Sequence, residues 1–183
     1  MLSRKAKDIE PSFGLTYNAE SFAYLVLKEY DRALAASERA IELQPNDPYV
    51  SAYHAFLLCS NGQSKSGISY AQRALRLDPL QVRTPYLNIL GVVQFHAGGF
   101  EYAIDAFQRN IDRGGPINLI TRVYMIATLA ALERFGEARK TLSTVKEGPS
   151  VDLWKKWLER NFREKHDIEF ALRYFHKAEK GGS

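Results

Sequence analysis

Four histidines, one cysteine and a few closely spaced carboxylates are the side chains of this 183-residue chain suited to catalysis or metal binding. His54, His96, His166 and His176 stand apart, and none pairs with another at metal-ligand spacing. Cys59 ends the apolar run Ala55–Leu58, which predicts a buried, inert thiol rather than a nucleophile. Gly98-Gly99 lacks the Lys-Ser/Thr of a phosphate loop and follows a helical pattern instead of a strand. Glu38 and Glu42, one helical turn apart, read as surface charges. The expectation is a chain with no catalytic residues, no metal site and no cofactor, and so not an enzyme.

Composition narrows the class further. The chain is 45% hydrophobic and 12% aromatic, enough apolar surface to offset the entropy of ordering it, which excludes disorder. A single cysteine excludes a disulfide scaffold, and no run of about 18 apolar residues exists to span a membrane. The net charge of +4 comes from interleaved residues, and patches such as Lys155-Lys156, Arg160 and Arg163 read as a solvated helix face. Neither a nucleic-acid partner nor a membrane is expected. The N-terminal MLSRKAKDIEPSF has no apolar core of a secretory signal, which points to the cytoplasm.

The elements come from a repeat. Ala6–Pro11, Ala40–Pro45 and Ala74–Pro79 share an Ala, an apolar residue and a terminal Pro, and successive prolines are 34 residues apart. A fourth copy, Asn110–Pro116, has Asn in place of Ala and its Pro moved by one; a weaker fifth ends near Val145 and Pro149. Between markers, apolar residues recur at three- and four-residue steps, as in Ala103, Ile104, Phe107 and Ile111. Each unit also breaks near its middle, at Gly62-Gln63-Ser64, Gly98-Gly99-Phe100 and Arg134-Phe135-Gly136. Asp47 is placed to cap a helix that begins at Pro48. Each unit is therefore predicted to be helix–turn–helix.

These residues resemble the tetratricopeptide repeat. The third copy carries the resemblance best, through Leu87, Leu90-Gly91, Gly98, Phe100, Ala103 and Phe107. The first supplies Tyr17, Tyr24, Tyr30, Ala33, Ala40 and Pro45; the second supplies Ala55, Leu58, Gly62, Ala74 and Pro79, with Gly67 where Ala is usual. In the fourth, Ile126 replaces the small residue of the first helix. The implied fold is all-α, an α-solenoid of helix–turn–helix repeats. Small residues such as Ala33, Ala55, Gly91, Ala103 and Ala138 sit where paired helices cross. Tyr30, Phe100 and Phe135 plug the gaps between hairpins.

The expected organisation is a partial repeat (second helix only) over 1–13, four repeats over 14–47, 48–83, 84–118 and 119–150, and a two-helix C-terminal cap over 151–183. The half-repeat at the start suggests a piece of a longer protein, a full-length chain with an evolved cap being the alternative. The cap carries two stripes, Leu153, Trp154, Trp157, Leu158 and Phe162, then Ile168, Phe170, Ala171, Leu172, Tyr174 and Phe175. Its task would be to cover the last repeat, because open solenoid ends need a cap. The phrase Arg160-Asn161-Phe162-Arg163 and the ending Lys177–Gly182 loosely resemble the end of the repeat regions that follow the catalytic domain of many bacterial class III adenylate cyclases. Related regions follow winged-helix domains in some bacterial regulators. This second resemblance covers about a sixth of the chain and implies a regulatory C-terminal region of a larger signalling protein.

Stacked hairpins leave a concave face lined by their first helices. The repeat alignment puts Asn18, Phe22, Tyr49, Tyr53, Phe56, Asn88, Val92, Phe95 and Tyr124 on it. Such a groove suits a partner protein or peptide held by aromatic anchors, with the asparagines bonding backbone. The Lys/Asn/Arg clamp by which some family members hold a C-terminal carboxylate is missing from these positions, which argues against a charged peptide tail. Alternatively the groove closes on itself and buries Tyr53 and Phe56. Left open, the stripe is large enough to drive homodimerisation. The expected function is non-catalytic protein–protein interaction.

Overall fold

A computed structural model of the chain describes residues 13–80, 85–143 and 151–181. Those residues form ten α-helices and no strand: α1 (Gly14–Val26), α2 (Tyr30–Leu43), α3 (Pro48–Ser60), α4 (Ser64–Leu77), α5 (Tyr86–His96), α6 (Phe100–Asp112), α7 (Leu119–Ala131), α8 (Phe135–Ser143), α9 (Val151–Asn161) and α10 (Lys165–Glu179). The half-repeat expected before residue 13 and the weak fifth copy at 145–149 lie outside the described residues.

The first eight helices pair as α1–α2, α3–α4, α5–α6 and α7–α8, and each second helix packs on the first helix of the next pair. Apolar residues run round most of α3 and α5, so both are buried on nearly all sides. In α4 and α6 one face is buried, Gly67, Ala71 and Ala74 or Ala103, Ala106 and Phe107, and the opposite face is exposed and mostly polar. First helices thus form an inner layer and second helices an outer one. The Asp47 side chain accepts from the Val50 N–H at 2.9 Å, with Pro48 at the first helical position. Asn118 caps α7 in the same way, accepting from Thr121 N.

All four hairpin turns share one geometry. The second residue after the first helix is left-handed, and the next N–H bonds back to a carbonyl five residues earlier: Glu29 to Tyr24, Gln63 to Leu58, Gly99 to Gln94, Arg134 to Leu129. Gly62 and Gly98 fill the left-handed position in the middle hairpins, whereas Lys28 and Glu133 take it in the outer two at φ 59°. The fourth turn therefore does not use Gly136, which the sequence reading placed at the break.

Two departures from the repeat have structural causes. Gly67 stands where Ala is usual because α3 and α4 cross too closely: an added Cβ would lie 2.8 Å from the Ala55 carbonyl oxygen. Asn110 replaces Ala because its Nδ2 donates to the Pro116 carbonyl at 2.9 Å, tying down the irregular link between α6 and α7.

The tail differs from the expected end cap. Helix α10 does pack on α7 and α8, but α9 reaches across to α1. The link between them bonds to the first two hairpins: the Tyr30 hydroxyl donates to the Phe162 carbonyl at 3.0 Å, and Arg163 N–H to the Ser60 carbonyl at 2.9 Å. An Arg163–Asp31 ion pair reinforces the corner. The tail is a helical hairpin laid along the inner face from the last hairpin to the first and back.

Candidate functional site

The predicted groove residues line that inner face, and the tail occupies its deep part. Trp154 packs edge-on against Tyr124 with ring centroids 5.5 Å apart, and Trp157 lies 6.1 Å from both Tyr124 and Phe56. Phe162 stacks on His96 at 4.3 Å and meets Phe56 edge-on. On the returning helix, Phe170 contacts Phe95 and Phe100, and Phe175 closes back onto Trp154. Spacings of three and five residues in Trp154, Trp157 and Phe162 let one helix and its C-terminal link set aromatic rings into successive gaps. The plugs Tyr30, Phe100 and Phe135 each meet the tail as well, Phe135 under the Lys177 ammonium.

Each predicted residue thus has a definite place. Phe95 and Tyr124 are fully buried, and Val92 and Phe56 nearly so. Asn88 is engaged structurally: its Nδ2 donates to the Pro116 carbonyl at 2.7 Å, alongside Asn110. Asn18 is buried, with its Oδ1 unpartnered among the described residues. Phe22 and Tyr53 are half-buried and Tyr49 is exposed. These three form a ladder, Phe22 edge-on to Tyr53 at 4.7 Å and Tyr49 against Tyr53 at 4.3 Å. The deep part of the groove is filled from within, and of the predicted residues Phe22, Tyr53 and Tyr49 keep part of their surface accessible.

Burial sets the titration of the groove. His96 bonds through Nε2 to the Tyr124 hydroxyl at 2.8 Å, and desolvation lowers its pKa to about 3, so it is neutral. Desolvation also raises Tyr124 well above a phenol's ordinary value and pushes the Cys59 thiol up to about 12. Cys59 accepts from the Ser64 hydroxyl at 3.4 Å and is packed as a small hydrophobe. Asp167 of α10 is buried too, which raises its pKa. Among the described residues no three His, Cys, Asp or Glu side chains gather as a metal site, and no helix is long and apolar enough to cross a membrane.

One feature of the site escaped sequence reasoning. A cleft of about 490 Å3 opens between the start of α7 (Asn118, Leu119, Ile120) and the outward stripe of α9 (Leu153, Lys156, Trp157, Arg160). Its signal was present in the i, i+3, i+4, i+7 spacing of that stripe, but the α9–α7 pairing that makes it a wall is a long-range contact.

Comparison with known proteins agrees with this architecture. No family model matches the chain. A curated protein of Mycosarcoma maydis, the small glutamine-rich tetratricopeptide repeat-containing protein 2, is 27% identical over 130 residues. That match covers 71% of this chain but only 36% of the relative, so the chain spans about a third of the length of the curated protein it matches. Among solved structures, the type IV pilus biogenesis factor PilW is similar with a TM-score of 0.71 and 19% identity, over 94% of this chain and 79% of that one. YrrB, described as a TPR protein with an unusual peptide-binding site, is similar with a TM-score of 0.63 and 19% identity, over 99% and 92%. The fold is a tetratricopeptide-type α-solenoid, which supports a protein–protein interaction module in general, and these likenesses indicate no catalytic family. The resemblance of the tail to cyclase repeat regions is not shown by them.

Proposed function

We propose that this tetratricopeptide-type solenoid is a non-catalytic protein–protein interaction module that binds a peptide segment of its partner along the accessible part of its concave face. The observation that supports this most is the Phe22–Tyr53–Tyr49 ladder. Three aromatic rings in contact, only partly covered, line the opening of a groove whose floor the chain's own tail has closed. Tyrosines supply large contact area at low entropic cost, and here a side-chain hydrogen bond between Tyr49 and Tyr53 holds the two rings in place. Trp157, in contact with Phe56 one turn along α3 from Tyr53, joins this ladder to the cleft beside α9. A cytoplasmic location belongs to this reading.

The tail also indicates the mode of recognition. This groove holds a helix through aromatic rings set three and five residues apart, so a helical peptide presenting an apolar stripe is the shape that matches the remaining strip. A regulatory role in a larger cyclase or winged-helix protein is not favoured, because the named relatives and structures are tetratricopeptide-repeat proteins.

The test is to pan a random 16-residue peptide library against the intact chain and measure the selected peptides by fluorescence anisotropy. Tyr49→Ala with Tyr53→Ala is expected to weaken their binding by at least about tenfold, the loss of one to two anchor contacts, with far-UV circular dichroism unchanged. This pair spares Phe56, whose removal would disturb Trp157 and Phe162. Selected peptides that bind the double variant as well as the parent would overturn the proposal.

A further inference from the structure

We infer that the cleft between α7 and α9 recognises acidic residues flanking an apolar anchor in the partner peptide, with Lys156 and Arg160 as the cations that select it. The inference rests on the groove reading above and specifies its ligand chemistry.

The argument begins with the helix. At about 100° per residue, Leu153, Lys156, Trp157 and Arg160 share one face of α9. Trp154 and Leu158 face inward and are fully buried. Asp152, Lys155 and Glu159 lie on the adjoining face, where Lys155 pairs with Glu159 at 3.8 Å. Asp152 and Glu159 neighbour Lys156 on the helix surface but do not line the cleft, where among the described residues the charged side chains are Lys156 and Arg160. Both Lys156 and Arg160 are exposed, and among the described residues neither has a carboxylate partner. The neighbouring Arg163, by contrast, is used within the fold, paired with Asp31.

The cleft between them is apolar. Leu119 and Ile120 form one wall, Leu153 and Trp157 the other, and Leu153 is 53% exposed. An aliphatic or aromatic side chain fits this floor, and carboxylates on either side of it in the partner would meet Lys156 and Arg160 one turn apart. Partial enclosure against Trp157 lowers the local dielectric and strengthens such pairs relative to open solvent. The repeats themselves carry no clamp for carboxylates, so the sequence argued against a charged ligand. The cations come from the appended helix instead, which no repeat alignment contains.

The same library-selected peptides test this. They are expected to be enriched in Asp and Glu around an apolar residue. Their affinity for the Lys156→Glu, Arg160→Glu variant should fall by about tenfold or more, and replacing their acids with Asn and Gln should weaken binding to the parent chain to a similar degree. Raising salt from 50 to 300 mM should weaken the parent complex and leave the variant's residual binding little changed. Peptides that lose binding with Tyr49→Ala and Tyr53→Ala, yet are indifferent to the charge reversal, would overturn this inference and leave the groove reading standing. Peptides indifferent to both pairs would overturn both. A parent chain that sediments as a dimer and dissociates on charge reversal would overturn it in favour of a second copy as occupant.

Discussion

The crossings inside the hairpins and the seam beneath the tail are equally buried, but they are built from different materials. Inside the hairpins, Ala33, Ala55, Ala71, Ala74, Ala103 and Gly91 let helices approach closely, and the contact is dry and tight. Under the tail, large rings meet, Trp154 against Tyr124 and Phe162 against His96 and Phe56, with Phe175 backing Trp154. Both regions bury side-chain atoms without a hydrogen-bond partner among the described residues, His96 Nδ1, Trp154 Nε1 and Asp167 Oδ2 under the tail and Asn18 Oδ1, Asn61 Oδ1 and Asn88 Oδ1 in the hairpins. Such atoms each cost about 1–3 kcal/mol. Close backbone contact through small residues makes the stack specific and unforgiving of added volume. Aromatic burial makes the seam strong in area, but it lacks the close crossings at small residues that lock the hairpins, so the tail is expected to open before the stack does.

The widest test of that contrast is Trp154→Ala. Removing a fully buried tryptophan costs about 3–5 kcal/mol. The expected readout is local: hydrogen exchange should speed up across α9 and α10 while α3 to α6 stay protected. Uniform loss of protection would mean that seam and stack unfold as one unit.

On the other side of the comparison stands Gly91→Leu. An added Cβ there already falls well inside contact distance of the Phe107 ring, which is fully buried and has nowhere to move. Overpacking should lower stability by about 3 kcal/mol, and Ala103→Leu by about 1–3 kcal/mol. Urea midpoints that do not move would show the crossing to be looser than described.

Acid should separate the two regions by a smaller margin. His96 in the seam and His54 in the stack are both buried neutral, lowered to about 3 and about 4 by desolvation. The unfolded imidazole takes its proton near pH 6.5, so each site loses stability as pH falls from 6.5 toward its folded value, and gains nothing above 6.5. Asp167 works the other way: its raised folded pKa means that protonation near pH 4 favours the folded form. The two windows coincide from pH 6.5 to about 4, so tail and stack should lose protection in parallel there, and only below pH 4 does His96 go on destabilising the tail after the His54 effect has levelled off. His96→Phe should flatten the tail's pH profile, and an unchanged profile would remove His96 from the account.

The smallest effect concerns the turns. Lys28 pays the steric penalty of a left-handed residue that Gly62 avoids. Lys28→Gly should stabilise by about 0.5–1 kcal/mol, whereas Gly62→Ala should destabilise by about 1 kcal/mol. Equal and opposite shifts in thermal midpoint would confirm one shared turn geometry, and shifts of the same sign would argue against it.

Much of the stack was legible because its signals are local. The helix that Asp47 and Pro48 begin, the turns at Gly62 and Gly98, and the Ala faces of α4 and α6 depend on residues a few positions apart, and spacing alone reveals them. The turn at Glu133 was misplaced onto Gly136, since glycine is the usual left-handed residue and nothing local marks a glutamate for that role. Asn88 read as a groove residue, but its partner is the Pro116 carbonyl, 28 residues away. The tail's apolar stripes were visible as stripes. Their destination was not.

The chain's own residues therefore determine an all-α solenoid of paired helices, because helical period, small crossing residues and turn chemistry repeat about every 34 positions. Only the tertiary structure decides which part of the inner face remains available. Phe56, Phe95 and Tyr124 would serve equally well as a recognition surface or as the floor under Trp154, Trp157 and Phe162, for an aromatic ring buries the same area against any apolar partner. The outcome depends on the corner at Phe162–Arg163 reaching Tyr30, Asp31 and Ser60, contacts made across more than a hundred residues, and on the same helix setting Lys156 and Arg160 beside the cleft with α7.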